Sequence, residues 1–520
     1  CGIRYVFCWQ AKRSIEFFPL PRAFSMTEMP YLCWAFLYTS TGVNSYNKIK
    51  LWSKDSKNFI AVMFSSIVTI INGVFLSLIV SKYLGVTQFG YFKLFGFYLG
   101  LVGVAHLGFI DGILVRYGHY NYENLPKTKF RTFFFFLLFT QVIIAVILIG
   151  ALILFTNNID RKIIYIMVAI NIIFVNIATF FSFICQITKK FRIFAVNTML
   201  QNVLNILFIC ILIFLGIKNY FYYIFIQSII NLLISIKYTI QFKDIVIGKR
   251  ESIFLVKNEI VSNYKIGFFV LVGNFMGLIV LGIDRIFIDR FLSIAEFSYY
   301  SFAVSLLGLV FTIINSISVY LYPYIARNRG QLNAQKYELF SSICILVASY
   351  SLCTFFVIEF IVINYLGDYT ESIIITAILY PIIILRSTIN IVSVNFYKAL
   401  QLVKDYNRNN IVAFAITLLS NIIIVFSAPS LLNFSIGTFL SFYIWAIYTD
   451  FYFYRKFNIN TLKHHIFIIL TIASFFLCTN LSYVLGMFLY LLVVTVFVML
   501  FYKDLLTTIL KTVGMGVKTQ

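Results

Sequence analysis

The chain has 520 residues, of which 61% are hydrophobic and 12% charged, with a formal net charge of +22 and a mean hydropathy of +0.92. That balance excludes a soluble globular core and points to a polytopic membrane protein. The basic surplus is scattered between apolar stretches instead of gathering on one soluble face, which excludes nucleic acid as the expected partner and leaves anionic lipid headgroups as the simpler use of it.

The first fifty or so residues differ from the rest, holding Trp9, Trp34 and Trp52, three of the four tryptophans, together with three of seven prolines and three of eight cysteines. Their apolar run Tyr31 to Tyr38 is too short to span. The chain begins at Cys1, so residues 1–58 are expected to be an atypical segment that is not native, with Met26, Met29 or Met63 as alternative starts; a processed lipoprotein is the less favoured reading.

A helix needs about 20 apolar residues to cross the hydrocarbon layer. Fourteen stretches qualify: 59–80, 91–114, 132–155, 163–186, 197–217, 219–238, 264–288, 299–325, 340–365, 372–397, 410–428, 432–449, 465–482 and 484–501. Arg116, Lys127, Lys129, Arg131, Lys189, Lys190 and Arg192 lie in even-numbered loops, whereas the odd-numbered loops hold only Lys82, Arg161, Lys162, Lys218 and Arg290. By the positive-inside rule both termini are expected in the cytoplasm.

Residues 81–102, SKYLGVTQFGYFKLFGFYLGLV, align without a gap on 289–310, DRFLSIAEFSYYSFAVSLLGLV, with seven identities in twenty-two positions. CQITKKF at 185–191 matches LQLVKDY at 400–406 more weakly, at an offset of 215 against 208. The fold class is therefore all-α: two six-helix lobes over 59–238 and 264–453 related by an internal repeat, a cytoplasmic linker over 239–263, and an additional helix pair over 465–501. Lys243, Lys249, Arg250 and Lys257 among Ile245, Val246, Phe254 and Leu255 suit a linker lying on the inner membrane surface.

Ionisable groups inside spans are the informative ones, because a charge at the bilayer centre costs at least about 2.5 kcal/mol. Arg386 lies fourteen residues into the span 372–397, too deep for easy snorkelling, and a guanidinium in a wet cavity could hold diphosphate oxygens; satisfaction by neighbouring carbonyls or a carboxylate is the alternative. Pro381 should kink the same helix. Asp284 and Arg285 stand where the first repeat has Leu76 and Ser77, and they serve either the cavity or interfacial anchoring. Asp111 and Arg116, in GFIDGILVRYGHY, stand where a headgroup would enter or are plain interfacial charges. Glu359 reads as interfacial, and His106 as packing or a titrating group, which leaves ion coupling unassigned. Gly96/Gly100 and Gly108/Gly112 are spaced for close helix contact. No CxxC or metal-ligand spacing occurs, so neither metal nor cofactor is expected.

KYLGVTQFGYFKLF followed by GLVGVAHLGFIDGILVRYGHY resembles the opening of bacterial polysaccharide-lipid flippases, the O-antigen and capsule repeat-unit exporters of the multidrug, oligosaccharidyl-lipid and polysaccharide exporter superfamily. DRIFIDRFLSIAEFSYYSFA at 284–303 resembles the opening of their second lobe, and the likeness extends over roughly residues 55–460. The resemblance implies a non-enzymatic transporter of the bacterial inner membrane. It would carry an undecaprenyl-diphosphate-linked oligosaccharide to the outer leaflet by alternating access, with a polysaccharide polymerase and a chain-length regulator as partners. A cation-coupled drug exporter of the same superfamily is the first alternative, disfavoured because span 59–80 lacks any ionisable residue. A membrane polymerase or glycosyltransferase is the second, disfavoured by short outward loops, and a structural scaffold gains nothing from a deep Arg386.

Overall fold

The computed structural model describes residues 54–505 except 460 and 504, so almost all of the atypical segment expected over 1–58, with Met26 and Met29, lies outside the described residues. In chain order the helices are α1 Lys54–Phe75, α2 Ser81–Leu99, α3 Phe109–Tyr117, α4 Lys127–Phe155, α5 Ile159–Ile187, α6 Phe191–Phe214, α7 Tyr220–Gln241 and the short α8 Lys243–Val246. They continue as α9 Ile253–Ile279, α10 Ile283–Phe291, α11 Ile294–Arg327, α12 Ala334–Ser351, α13 Thr354–Tyr365, α14 Glu371–Leu379, α15 Ile382–Ser387 and α16 Val394–Ala399. The last four are α17 Val403–Ser427, α18 Leu431–Phe457, α19 Leu462–Cys478 and α20 Tyr483–Phe501, and the described residues contain no strand.

Eleven helical runs among the described residues are long and apolar enough to cross a membrane. One of them, Ala61–His106, has 46 residues, about 69 Å at 1.5 Å per residue, against a hydrocarbon core of about 30 Å. It is two crossings, because the chain turns at Gly85, whose φ of +71° is a conformation glycine adopts without penalty. Both arms run along α11: Gly73 meets the Leu309 side chain and Gly90 meets the Ile294 carbonyl. With α9–α10 and α19 the crossings number fourteen. Side chains such as Phe155, Phe214 and Phe426, 84%, 91% and 86% exposed, form the lipid-facing surface.

The two halves repeat one packing scheme. In the first, α1 lies on α6, α2 on α5, α5 on α4 and α7, and α6 on α7. In the second, α9 and α10 lie on α17, α11 on α14 and α16, α12 on α15, α15 on α18, and α17 on α18. The turns repeat as well: Lys189 (φ +56°) and Gln401 (φ +59°) close α5 and α16 in the left-handed conformation, with Lys190 N–H bonded to the Cys185 carbonyl and Leu402 N–H to the Tyr397 carbonyl, each at 2.8 Å. Equating these caps sets the second repeat match at Lys189 with Gln401, three residues from the register that the sequences alone suggest. α19 and α20 lie against α12 and α13.

Several spans expected to be continuous are broken. The second is interrupted between Leu99 and Phe109, where Gly108 (φ +84°) follows Leu107 (φ +50°), and its freed carbonyls at Val102 and Ala105 accept from Asn176 Nδ2 (3.1 Å) and Gln141 Nε2 (3.4 Å). The seventh starts earlier than expected, at Ile253, and breaks at Val280–Gly282, so Asp284 and Arg285 sit on a separate helix. The tenth breaks at Pro381, as a proline without an amide proton dictates, and widens over Thr388–Ser393, where Ser318 Oγ donates to the Asn390 carbonyl at 2.7 Å.

The closest contact between the halves is backbone on backbone. A Cβ at Gly267 of α9 would stand 1.8 Å from the Gly108 carbonyl oxygen, and one at Gly112 of α3 2.0 Å from that of Asn263. Gly108 and Gly112 thus make the contact that their spacing suggests; Gly96, with nothing within 4 Å of its Cβ position, does not. Overpacking costs about 1–3 kcal/mol, so Gly267→Val should lower the melting temperature of the purified protein. It should also let a cysteine at Asn263 react several-fold faster with a water-soluble maleimide; unchanged labelling would show that this contact does not seal the cleft.

Candidate functional site: the cleft between the two halves

Each end of the cleft is held by one carboxylate from the second half. At the end carrying the even-numbered, lysine- and arginine-rich loops, Glu259 of α9 accepts from Tyr117 Oη (2.7 Å) and Lys129 Nζ (2.6 Å). Arg116 Nη1 donates to the Glu259 carbonyl (2.9 Å) and to Asn263 Oδ1 (2.7 Å). The linker is fastened alongside: Asp244 pairs with Lys127 at 2.6 Å and accepts from Tyr122 Oη at 2.5 Å, while Arg131 donates to the Asp244 and Lys249 carbonyls at 2.8–3.0 Å. At the opposite end Asp289 of α10 accepts from Tyr98 Oη (2.9 Å) and Tyr165 Oη (2.8 Å), and Arg161 lies 3.1 Å from its Oδ1.

Away from these ends stand three cations outside any ion pair among the described residues, of which Arg285 is in contact with the other half. Arg285 reaches across from α10 and stacks on Phe97 of α2, 4.5 Å from the ring centroid, with its Nε buried and unbonded. Lys93 of α2 stands over Phe89 at 5.0 Å, within electrostatic reach of Arg285. Arg386 projects from α15 onto Phe311 of α11, 4.2 Å from the centroid, with Nη1 buried and unbonded. It is half-buried against protein, and Asn390, one turn further on, bonds the exposed Asn315 of α11 at 3.4 Å. Among the described residues none of the three cations takes part in an ion pair.

Asp284 turns the other way from Arg285, into its own half. Fully buried, it accepts from Tyr300 Oη, from Thr438 Oγ1 (2.9 Å) and from the Arg285 backbone N–H (2.7 Å). Asp111 and His106 meet across the break in the second span, with His106 Nδ1 at 3.8 Å from Asp111 Oδ2 and accepting the Gly108 N–H at 3.1 Å. Glu359 is buried on α13 with Oε2 unbonded, apart from these groups. Arg116 belongs to the clamp at the basic end, where its Nη1 makes both bonds.

Sequence reasoning passed over Lys93, although its position inside the expected span 91–114 was the available signal. It also passed over Glu259 and Asp289, which look like ordinary interfacial acids until the fold brings partners from more than a hundred residues away.

The family described as "Polysaccharide biosynthesis protein" matches residues 56–329. The chain belongs to that family. No curated protein matches it. Among solved structures, this family member is similar to the lipid II flippase MurJ in an inward-closed conformation (TM-score 0.66, 16% identity, 87% of this chain and 100% of the other). It is also similar to a multidrug resistance MATE family transporter of the MOP superfamily in its inward-facing form (TM-score 0.53, 12% identity, 78% and 98%) and in an outward-facing form (TM-score 0.50, 11% identity, 78% and 97%). At these identities the likeness is one of fold: this family member shares the helical bundle of those transporters.

Burial pushes Glu259 up, but the hydrogen bonds from Lys129 and Tyr117 and the charge of Arg116 outweigh it and hold the carboxyl below its usual range. A carboxyl with a depressed folded-state pKa stabilises fully above its unfolded value, about 4.3, and loses that contribution as the pH falls through the folded one. The clamp should therefore be at full strength at neutral pH and weaken only below about pH 4. The melting temperature of the unaltered protein should therefore exceed that of Glu259→Gln most at neutral pH, with the difference shrinking below about pH 4; a difference that does not change with pH would refute the assignment.

Proposed function

We propose that the protein flips an undecaprenyl-diphosphate-linked oligosaccharide repeat unit from the cytoplasmic to the outer leaflet of the bacterial inner membrane, for O-antigen, capsule or exopolysaccharide synthesis. The observation that carries the reading is the sign of the unpaired charge in the cleft. Among the described residues Lys93, Arg285 and Arg386 have no ion pair, while Asp284 and Asp289 are engaged by hydroxyl donors and Arg161. An uncompensated cation away from water is expensive, and a diphosphate accepting charge-assisted hydrogen bonds from a guanidinium fork offsets that cost. A cation-exporting pump would need the reverse, open carboxylates facing the other half.

On this reading the basic end faces the cytoplasm, in keeping with the distribution of Lys and Arg. Headgroups enter past Arg116 and Asp111 once the Glu259 clamp opens, and leave past Asp289. His106, Asp111, Asp284 and Glu359 remain the candidates for ion coupling, and a polymerase and chain-length regulator would act on the delivered product. The membership of a polysaccharide biosynthesis family and the two-lobed fold support a carrier over an enzyme.

A charge-assisted hydrogen bond contributes about 1.5–3 kcal/mol, so Arg386→Ala or Arg285→Ala should lower surface polysaccharide about tenfold or more in cells that depend on this chain, at normal protein level, with Arg386→Lys recovering part of it. Undiminished polysaccharide in both alanine variants would remove these cations from the substrate path.

A further inference from the structure

A second polar site lies within the first half, away from the unpaired cations. It is a cavity of about 180 Å³ between α5, α6 and α7, whose polar lining is Thr179, Ser182, Asn197, Thr198, Gln201 and Asn231, with Phe194 and Tyr238 among its walls. Counted from the helix ends at 1.5 Å per residue, Tyr238, Ser182 and Asn197 lie roughly 5–9 Å in from the basic end, and Gln201 and Asn231 about 15 Å. Thr179, Ser182, Thr198 and Gln201 are only half-buried, so the cavity is open to entry.

Three features define what it can hold. Its lining contains no charged residue, in contrast to the cleft, so neither a phosphate nor a cation finds a counter-charge. The amides and hydroxyls both donate and accept, which matches the hydroxyl groups of a sugar. Some of that capacity is already oriented: Gln201 Nε2 donates to Asn231 Oδ1 (3.0 Å), whose Nδ2 donates to Asn171 Oδ1 (2.9 Å), whose Nδ2 donates to Ser228 Oγ (2.7 Å).

Asn197 decides the matter. It is 1% exposed, and its Nδ2 is taken by Gln241 Oε1 at 2.7 Å, yet its Oδ1 has no partner. A buried acceptor in an apolar bundle is costly unless a donor reaches it. Size limits the donor: 180 Å³ exceeds the roughly 30 Å³ share of one water and falls short of the about 300 Å³ at which drug-sized pockets begin. A single sugar ring fits between those bounds.

We infer that this cavity is a carbohydrate subsite, which takes one neutral sugar of the lipid-linked substrate as it enters from the basic end, with a sugar hydroxyl donating to Asn197 Oδ1. The inference rests on the flippase reading above and adds a second recognition element: the cations hold the diphosphate, and the amide-lined cavity senses the sugar.

The test is binding to the full-length protein in detergent, by thermophoresis. The probes are undecaprenyl diphosphate and undecaprenyl diphosphates bearing N-acetylglucosamine, glucose or galactose. At least one sugar-bearing probe should bind about tenfold more tightly than the bare lipid, and Asn197→Leu and Thr179→Val should each cut that preference to about twofold or less while leaving the bare lipid's affinity unchanged. Thr179→Val is nearly isosteric and loses only a bond to Val175 within its own helix, so it serves where Asn197→Leu lowers the melting temperature. No sugar preference in the unaltered protein, or a preference that survives Thr179→Val, leaves the cavity to water and overturns the inference while the flippase reading stands. Failure of the bare lipid to bind, or to lose affinity in Arg386→Ala, sinks that reading instead.

Discussion

Gly267 lies so near the Gly108 carbonyl that no other side chain fits between the two halves there, and Gly112 meets Asn263 as closely. This contact places α3 and α9 at backbone distance, and the neighbouring polar groups follow from it. Arg116 and Tyr117, one turn along α3, come within hydrogen-bond reach of Glu259 and Asn263 because the helices cannot be held apart. In a bilayer no hydrophobic effect drives helices together, so close van der Waals contact between small residues and the hydrogen bonds that it permits must do so.

The same constraint explains the carboxamides of the interior. Breaks in the second and tenth spans free backbone carbonyls where no water competes for them, and each has amides or hydroxyls turned onto it. Asn176 and Gln141 serve Val102 and Ala105, and Ser318 and Asn395 serve the wide turn over Thr388–Ser393. A broken helix within a membrane is stable only where it faces protein or a wet cavity. The breaks fall beside the cleft, on the helices that carry His106, Arg285 and Arg386.

Much of the architecture was legible because apolar length and the distribution of lysine and arginine are one-dimensional signals. The repeat at 81–102 and 289–310 marks the turns at Gly85 and Ser293, and the depth of Arg386 singles it out without a structure. What stayed hidden depends on partners distant in sequence. Glu259 is bound 130 residues from Lys129 and Asp289 is bound 191 from Tyr98; nothing local marks either acid. Lys93 was obscured for a different reason: two residues inside an expected span, it reads as a side chain that snorkels to the interface, and only the packing of α2 on α11 turns it toward Arg285. The asparagines lining the α5–α7 cavity were invisible because uncharged residues carry no weight in a search for intramembrane charge.

Closure at the Asp289 end sets two opposing electrostatic terms against each other. It leaves Lys93 of one half within electrostatic reach of Arg285 of the other, and like charges repel more strongly away from water. It also lets one carboxylate collect Tyr98, Tyr165 and Arg161, and hydrogen bonds to a charged group contribute about 1.5–3 kcal/mol each. The repulsion offsets part of the attraction and narrows the free-energy gap between the two positions of the halves, which lets a ligand with differential affinity move the equilibrium. On the proposed flippase reading an anion between Lys93 and Arg285 would remove the repulsive term and leave the attractive one, so occupancy would favour the closed end and loss of the anion would favour reopening.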